Sequence, residues 1–230
     1  MFEIIKFDCI FKIDEKIVPK FVLEFYSLFN LTTDYDGEIF VNFTIRNQMI
    51  SYPFPVFCQI LGVPTEGQCT FTHELSLDAL ARSSPFYGKY ATIPPSPEEI
   101  RSIVQTYRQQ AEYRMYHGTI IRVSENQILT KEIVDYLKPM TEIIRENVFC
   151  LGGNRDHVPA CLSHMVYCAA LSINYNLAYY MVKKMEFSRG KFSMILPYGM
   201  LLTRLFHFVM HQILIFTMSN ILRLTLSFFL

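Results

Sequence analysis

Apolar residues in this chain recur at helical spacing in nearly every segment, and residues 38–45 are the exception. After an Asp-Tyr-Asp-Gly turn at 34–37, apolar and polar side chains alternate with a period of two, which is typical of a half-buried β-strand. Residues 46–48 then reverse the chain into a short partner strand at 49–52. We therefore predict one small antiparallel hairpin near the N-terminus of an otherwise helical chain.

Helical segments are predicted on both sides of this hairpin. Residues 19–29 carry apolar side chains at spacings of three and four, and Pro19 suits the first turn of a helix. Gly62 and Pro64 supply a stop after a helix at 54–61. Further helices are predicted at 75–82, 96–110, 130–147, 159–185 and from Pro197 toward the C-terminus. The predicted fold class is mainly α with a small antiparallel β-hairpin, arranged as a helical bundle-like single domain.

The predicted organisation is a short extension, one large domain and a tail. Residues 1–16 form the N-terminal extension, 17–209 the helical domain and 210–230 an apolar C-terminal tail. Hydrophobic residues make up 51% of the chain and charged residues 18%, so a packed core is expected. The formal net charge is +0, so any contact with nucleic acid has to be local.

Cysteine usage and the N-terminal residues favour an intracellular protein. Six cysteines at irregular spacing do not resemble a secreted disulfide framework. The charged residues Glu3, Lys6 and Asp8 interrupt the apolar run that a signal peptide needs. We expect reduced thiols in the nucleus or the cytoplasm.

Several long runs of sequence carry a resemblance to a known family. They lie at 18–26 (VPKFVLEFY), 41–48, 60–69 (ILGVPTEGQC), 125–130, 144–161 and 195–204. Over about residues 17–209 the chain resembles the plant transposon protein domain, which occurs in open reading frames of plant retrotransposon-like elements. The tail after 209 departs from that pattern, as a truncated or mispredicted reading frame would.

The resemblance implies a non-enzymatic protein without catalytic residues, cofactors or a small-molecule substrate. It implies self-association, or weak contact with RNA or DNA, inside the particle of such an element. No Gly-x-Ser-x-Gly sequence marks a nucleophile. The acidic residues at 34–38 favour a turn, which explains their presence without a catalytic site. The Gly-Gly-Asn-Arg run at 152–155 lacks the rest of a phosphate-binding loop.

Five residues are metal candidates, because zinc takes thiolate and imidazole ligands. They are Cys150, His157, Cys161, His164 and Cys168. Their spacing lacks the close cysteine pair of most zinc sites, and the last three fall on one helix face, where cysteine commonly packs as a small apolar residue. Core packing is the favoured interpretation, and a zinc-supported binding module is the alternative.

One local cluster of positive charge provides candidate nucleic-acid contacts. Its members are Lys183, Lys184, Arg189 and Lys191, with tyrosine and phenylalanine residues between and beside them. Interleaved cations and aromatic rings are what a single-strand groove uses, whereas cations at the end of a helix are also favoured by its dipole. The second explanation is the favoured one.

Another alternative is a membrane-tethered protein that is anchored by the C-terminal residues 205–230. Between Arg204 and Arg223 lie 18 residues without a formal charge, a length close to a membrane span. Histidine, glutamine, serine and asparagine side chains dilute this segment, so a core helix or an unnatural tail is favoured over an anchor.

Overall fold

The computed structural model of this protein describes residues 7, 9, 13–116, 118–149, 155–189, 191 and 196–227, with side chains described no further than Leu214. The chain divides into two compact units. The central unit comprises residues 1–11 and 64–184, and the terminal unit comprises residues 12–63 and 185–230. The chain passes from the central to the terminal unit within one helix, between Lys184 and Met185.

The described elements are eight helices and five strands. In chain order they are α1 (Pro19–Leu28), β1 (Asn30–Thr33), β2 (Ile39–Ile45), β3 (Gln48–Pro53), α2 (Phe54–Leu61), α3 (Asp78–Ser83), α4 (Pro97–Val104), β4 (Tyr113–Tyr116), β5 (Thr119–Arg122), α5 (Lys138–Ile144), α6 (Ala160–Ala170), α7 (Leu177–Arg189) and α8 (Gly199–Ser227). Two 3-10 turns (Thr130–Glu132 and Asp135–Leu137) precede α5, and a π-helical turn (Arg145–Phe149) follows it.

The predicted fold class, a mainly helical bundle with one hairpin, is wrong. The protein is α+β, with 47% of its residues helical and two separate antiparallel sheets. One sheet has the order β1-β2-β3, and the other is the two-stranded β4–β5 hairpin. The bundle prediction failed because β1, β4 and β5 form in segments for which no element was predicted, and because two 3-10 turns replace the start of the helix predicted at 130–147.

In the terminal unit, a three-stranded sheet packs against α1. Val41 pairs with Leu31 on one side and with Tyr52 on the other, so the predicted hairpin of β2 and β3 is confirmed and gains β1 as a third strand. Arg46 and Asn47 join β2 to β3 with φ values of 50° and 61°, the left-handed pair of a tight hairpin turn.

An aromatic core lies beneath this sheet. The Phe25 ring of α1 lies 5.1 Å from that of Phe43 and 5.0 Å from that of Phe29. The buried Phe57 of α2 joins the same group. The Tyr26 hydroxyl donates to the Pro197 carbonyl at 2.8 Å, which ties the start of the C-terminal segment to α1. The predicted helices α1 and α2 are thereby confirmed as core elements.

In the central unit, α6 is the buried helix. It packs against α3, α4 and α5, and nine of its eleven residues are buried. The predicted helix at 159–185 is interrupted there, because α6 ends at Ala170 and α7 starts at Leu177. Ser172 has a φ of 57°, and the Asn176 side chain caps α7 by accepting the Tyr179 amide at 2.9 Å.

The helix predicted from Ser96 begins as expected and ends early. Ser96 and Glu99 form a capping box, in which each side chain accepts the backbone amide of the other residue. α4 then stops at Val104, because Gln105 leaves the helix to form a bridge with Ile133. The segment that follows is free to build the β4–β5 hairpin.

Candidate functional site

A buried polar cluster links three segments of the central unit. His164 of α6 is fully buried, and its Nδ1 lies 3.0 Å from Thr70 Oγ1. The Tyr175 hydroxyl lies 3.1 Å from the same Oγ1 and donates to the Thr70 carbonyl at 3.0 Å. His164 Nε2 has no hydrogen-bond partner among the described residues. We infer that the neutral ring carries its proton on Nδ1, because an unpaired buried acceptor costs less than an unpaired N–H donor.

Two of the metal candidates beside this cluster are protonated thiols. Cys161 Sγ accepts the Thr72 amide at 3.1 Å, and Cys168 is buried on the same helix. Burial raises the pKa of each thiol to about 12. At neutral pH both therefore stay neutral, a form that neither attacks an electrophile nor binds a metal ion well.

The remaining metal candidates do not join this pair in the described structure. His157 precedes α6, and its backbone forms a bridge with Leu129. Burial lowers the pKa of its imidazole. Cys150 lies outside the described residues. Within the described part of the chain, no group of three or more His, Cys, Asp or Glu residues is arranged to hold a metal ion.

The buried His164 makes the stability of the protein depend on pH. Burial lowers its pKa to about 4, whereas an unfolded histidine titrates near 6.5. As the pH falls below about 6.5, the unfolded state binds a proton that the folded state excludes, so stability is lost until about pH 4. When the pH falls from about 7 to about 4.5, the free energy of unfolding of the wild type should drop by about 2.5 kcal/mol more than that of His164→Gln. Urea unfolding at the two pH values measures this difference.

His73→Gln is the matched control, because His73 is exposed in the same unit. This variant should keep the acid sensitivity of the wild type. Equal acid sensitivity in His164→Gln and the wild type would contradict the assignment of His164 as the titrating group.

The structure separates the four basic candidates near the end of α7. Lys184 is buried, so it offers little surface for a phosphate. Arg189 donates to the Phe29 carbonyl, and the Lys191 ammonium lies 4.0 Å from the centre of the Phe187 ring. Lys183 is half-buried. Two of these cations are thus occupied by contacts within the terminal unit, and nucleic-acid binding by this cluster stays a prediction.

An exposed hairpin in the central unit offers a different surface. In β4–β5, Tyr113 pairs with Arg122 and Met115 pairs with Ile120. Directly opposite residues of antiparallel strands share a face, so these four side chains lie together. Met115 is 73% exposed and Ile120 68% exposed. The hairpin therefore presents one apolar face with an arginine beside it.

Two clefts flank the base of this hairpin, and Val123 lines both. The first has a volume of about 620 Å³ and contains Arg101, Arg108 and Arg122. The second has a volume of about 370 Å³. Its cationic side chains are Arg114, Lys131 and Arg155. Six cationic and four acidic side chains line the clefts, a formal excess of two positive charges, and two of these cations, Arg108 and Arg155, also pair with glutamates outside the lining. We refer to β4, β5 and these two clefts as the hairpin surface.

A buried ion pair fixes the segment that leads into the hairpin. Arg108 Nε donates to Glu132 Oε1 at 2.6 Å, and its Nη2 donates to Oε2 at 2.8 Å. Arg108 also donates to the carbonyls of Ser124 and Gln127 at 3.0 Å and 2.7 Å. Although burial opposes its charged form, the hydrogen bond from Arg108 holds the pKa of the Glu132 carboxyl below its usual value. This arginine therefore serves as a tether rather than as a free cation.

Several cations of the hairpin surface have acidic partners, and Arg122 has none among the described residues. Arg101 lies 3.3 Å from Glu98, and Lys131 lies 2.6 Å from Glu112. The side chain of Arg122 is exposed and forms no ion pair or hydrogen bond with the described part of the chain. It is the cation best placed to meet an anionic ligand.

The β4–β5 hairpin was not among the strands predicted from the sequence. The signal was present as a His-Gly pair at 117–118 between two runs of strand-forming residues, and Gly118 adopts the positive φ of 80° that such a turn needs. The strands are only four residues long, so their period of two is short and easily overlooked.

Comparison with known proteins identified no relative. No protein-family model, no curated protein and no solved structure matches this chain. The geometry of the described residues is therefore the basis for assigning a function. Among these residues, no helix combines the length and the apolar character needed to cross a membrane.

Proposed function

We propose that this chain is a non-enzymatic protein derived from a plant retrotransposon-like element, and that its central unit binds nucleic acid weakly through the hairpin surface. The observation that carries the proposal is the hairpin with Arg122 exposed on one face and Arg114 half-buried on the other, each lining one of two clefts that contain further cations. The origin rests on the resemblance of the sequence runs at 18–26, 60–69 and 195–204.

The charge distribution favours an anionic polymer as the ligand. Between residues 101 and 122 the chain carries four arginines and one acid, Glu112. Guanidinium groups bind phosphate oxygens through paired hydrogen bonds, and this contact needs no particular base sequence. Because nearby acids offset part of the charge, the expected affinity is low and sensitive to salt.

The four buried thiols among the described residues, those of Cys58, Cys69, Cys161 and Cys168, are unsuited to nucleophilic catalysis at neutral pH. Burial raises the pKa of Cys69 to about 11 and that of Cys161 to about 12. Burial also raises the pKa of Cys58. A thiol in this state is a poor nucleophile at neutral pH. The hairpin surface is accordingly proposed as a binding surface.

The test is the affinity of the full chain for a fluorescein-labelled oligonucleotide, measured by anisotropy. Replacing Arg114 and Arg122 together by alanine removes two phosphate contacts. At about 0.1 M salt we expect roughly 20-fold weaker binding, since each contact with a single strand contributes a salt slope of about 0.7.

The control is Arg82→Ala combined with Lys89→Ala, which removes two exposed cations from the same unit away from the clefts. This control should bind as the wild type does. Equal losses in both double variants would show a general charge effect and contradict a defined hairpin surface. Thermal melting of each variant verifies that it is folded.

A further inference from the structure

Two tyrosine side chains of the hairpin surface are exposed to solvent, and each lines one of the clefts. Tyr107 lines the first cleft and is 89% exposed. Tyr113 lines the second cleft and is 61% exposed. Arg122 lies directly opposite Tyr113 across the strand pair, so a flat ring and a guanidinium group are neighbours. Such a pair can hold a base and its phosphate at the same time.

The exposed apolar side chains of the hairpin favour a ligand with unstacked bases over a duplex. Met115 and Ile120 lie on the same face as Tyr113 and expose apolar surface that a phosphate group cannot cover. An unstacked base can cover it, because its face is flat and weakly polar. In a duplex the base faces are already stacked on one another, which leaves mainly phosphates and groove edges to contact.

We infer that the hairpin surface takes single-stranded nucleic acid, with bases stacked on Tyr107 and Tyr113. Arg122, on the same face of the hairpin as Tyr113, and Arg114, which lies on the other face and lines the second cleft, bind the phosphates. The inference rests on the proposed function and adds the class of ligand. Recognition by stacking tolerates any base sequence, because every base has a π-face.

The experiment compares three labelled probes with the full-length chain. The first is oligothymidylate of about 12 nucleotides, a length within the site sizes of single-strand-binding surfaces. The second is an abasic oligomer of equal length and charge, and the third is a duplex of the same length. We expect oligothymidylate to bind at least about tenfold more tightly than the abasic oligomer, because stacking adds to phosphate contact.

Tyrosine variants then locate the stacking positions. Tyr107→Ala and Tyr113→Ala should each weaken oligothymidylate binding roughly tenfold and leave abasic binding unchanged. Tyr136→Ala is the matched control, because Tyr136 is 64% exposed in the same unit but lines neither cleft. This control should change neither affinity.

The outcomes separate the inference from the proposed function. Equal binding of oligothymidylate and the abasic oligomer would overturn stacking and leave phosphate contact intact. Tighter binding of the duplex would likewise overturn single-strand selection. No binding of any probe would overturn both proposals. Concentration-dependent dimerisation that Tyr113→Ala abolishes, without any base-dependent binding, would overturn the inference and assign the apolar face to a second copy of the chain.

Discussion

Replacing Gly67 by alanine is expected to destabilise the central unit by about 4 kcal/mol or more, measured by urea unfolding of the full chain. A Cβ at this position would lie 2.1 Å from the Asn174 carbonyl oxygen and 2.7 Å from the Tyr175 nitrogen. Both are backbone atoms, so no side-chain rotation relieves the clash. The φ of 104° adds strain for any residue with a side chain.

The close approach at Gly67 is held by paired backbone hydrogen bonds. Gln68 N donates to the Asn174 carbonyl at 2.9 Å, and Asn176 N donates to the Gln68 carbonyl at 3.0 Å. Gly88→Ala is the matched control, since Gly88 has a φ of 82° and a Cβ there would meet no described atom within 4 Å. It should cost about 1 kcal/mol. Similar losses in the two variants would show that φ alone, rather than the contact with Asn174, sets the cost.

Replacing Arg108 by alanine is the second large effect, with an expected loss of about 3 kcal/mol or more in the free energy of unfolding. The variant leaves the Glu132 carboxylate buried with only Gln105 Nε2 and the Leu129 amide as hydrogen-bond donors among the described residues, each at 2.9 Å. It also leaves two carbonyl oxygens without their donor. A buried charge without its counter-charge is costly because water no longer solvates it.

Arg82→Ala provides the comparison for Arg108→Ala. Arg82 forms an ion pair with Glu74 at 3.0 Å, and both side chains are exposed. Exposed pairs contribute between about 0 and 1 kcal/mol, so this variant should remain close to the wild type in stability. If Arg108→Ala were equally mild, the pair with Glu132 would not be the tether that fixes the segment before β4.

Elements with a strong local signal could be predicted from the sequence. α1 has Pro19 in its first turn and an apolar stripe, and β2 alternates over seven residues. The Ser96 cap and the Gly62 stop are local signals too, because each depends on groups within about one helical turn. Residues close in sequence decide these features, so no knowledge of the tertiary fold is needed.

Elements that depend on distant partners could not be predicted. The interruption between α6 and α7 depends on Asn176, whose side-chain nitrogen donates to the Thr65 carbonyl more than a hundred residues away. α4 ends where Gln105 meets Ile133, another long-range contact. A helical pattern in the sequence continues through both positions, and tertiary hydrogen bonds override it.

In the His164 cluster and the hairpin surface, too, local features could be predicted from the sequence and long-range contacts could not. The spacing of Cys161, His164 and Cys168 predicted one helix face, and α6 carries all three. Their partners Thr70 and Thr72 are about ninety residues away and gave no signal. The hairpin surface depends on a tether between Arg108 and Glu132, two residues that pattern analysis treats as ordinary surface charges.

The most direct test of the central claim is the salt dependence of oligonucleotide binding. It is measured for the wild type and for the double variant in which Arg114 and Arg122 are replaced by alanine. Plotted as the logarithm of affinity against the logarithm of salt concentration, the wild type should give a slope steeper by about 1.4, because two phosphate contacts are present. Equal slopes for the two proteins, or no binding by the wild type, would contradict the assignment of the hairpin surface as a nucleic-acid interface.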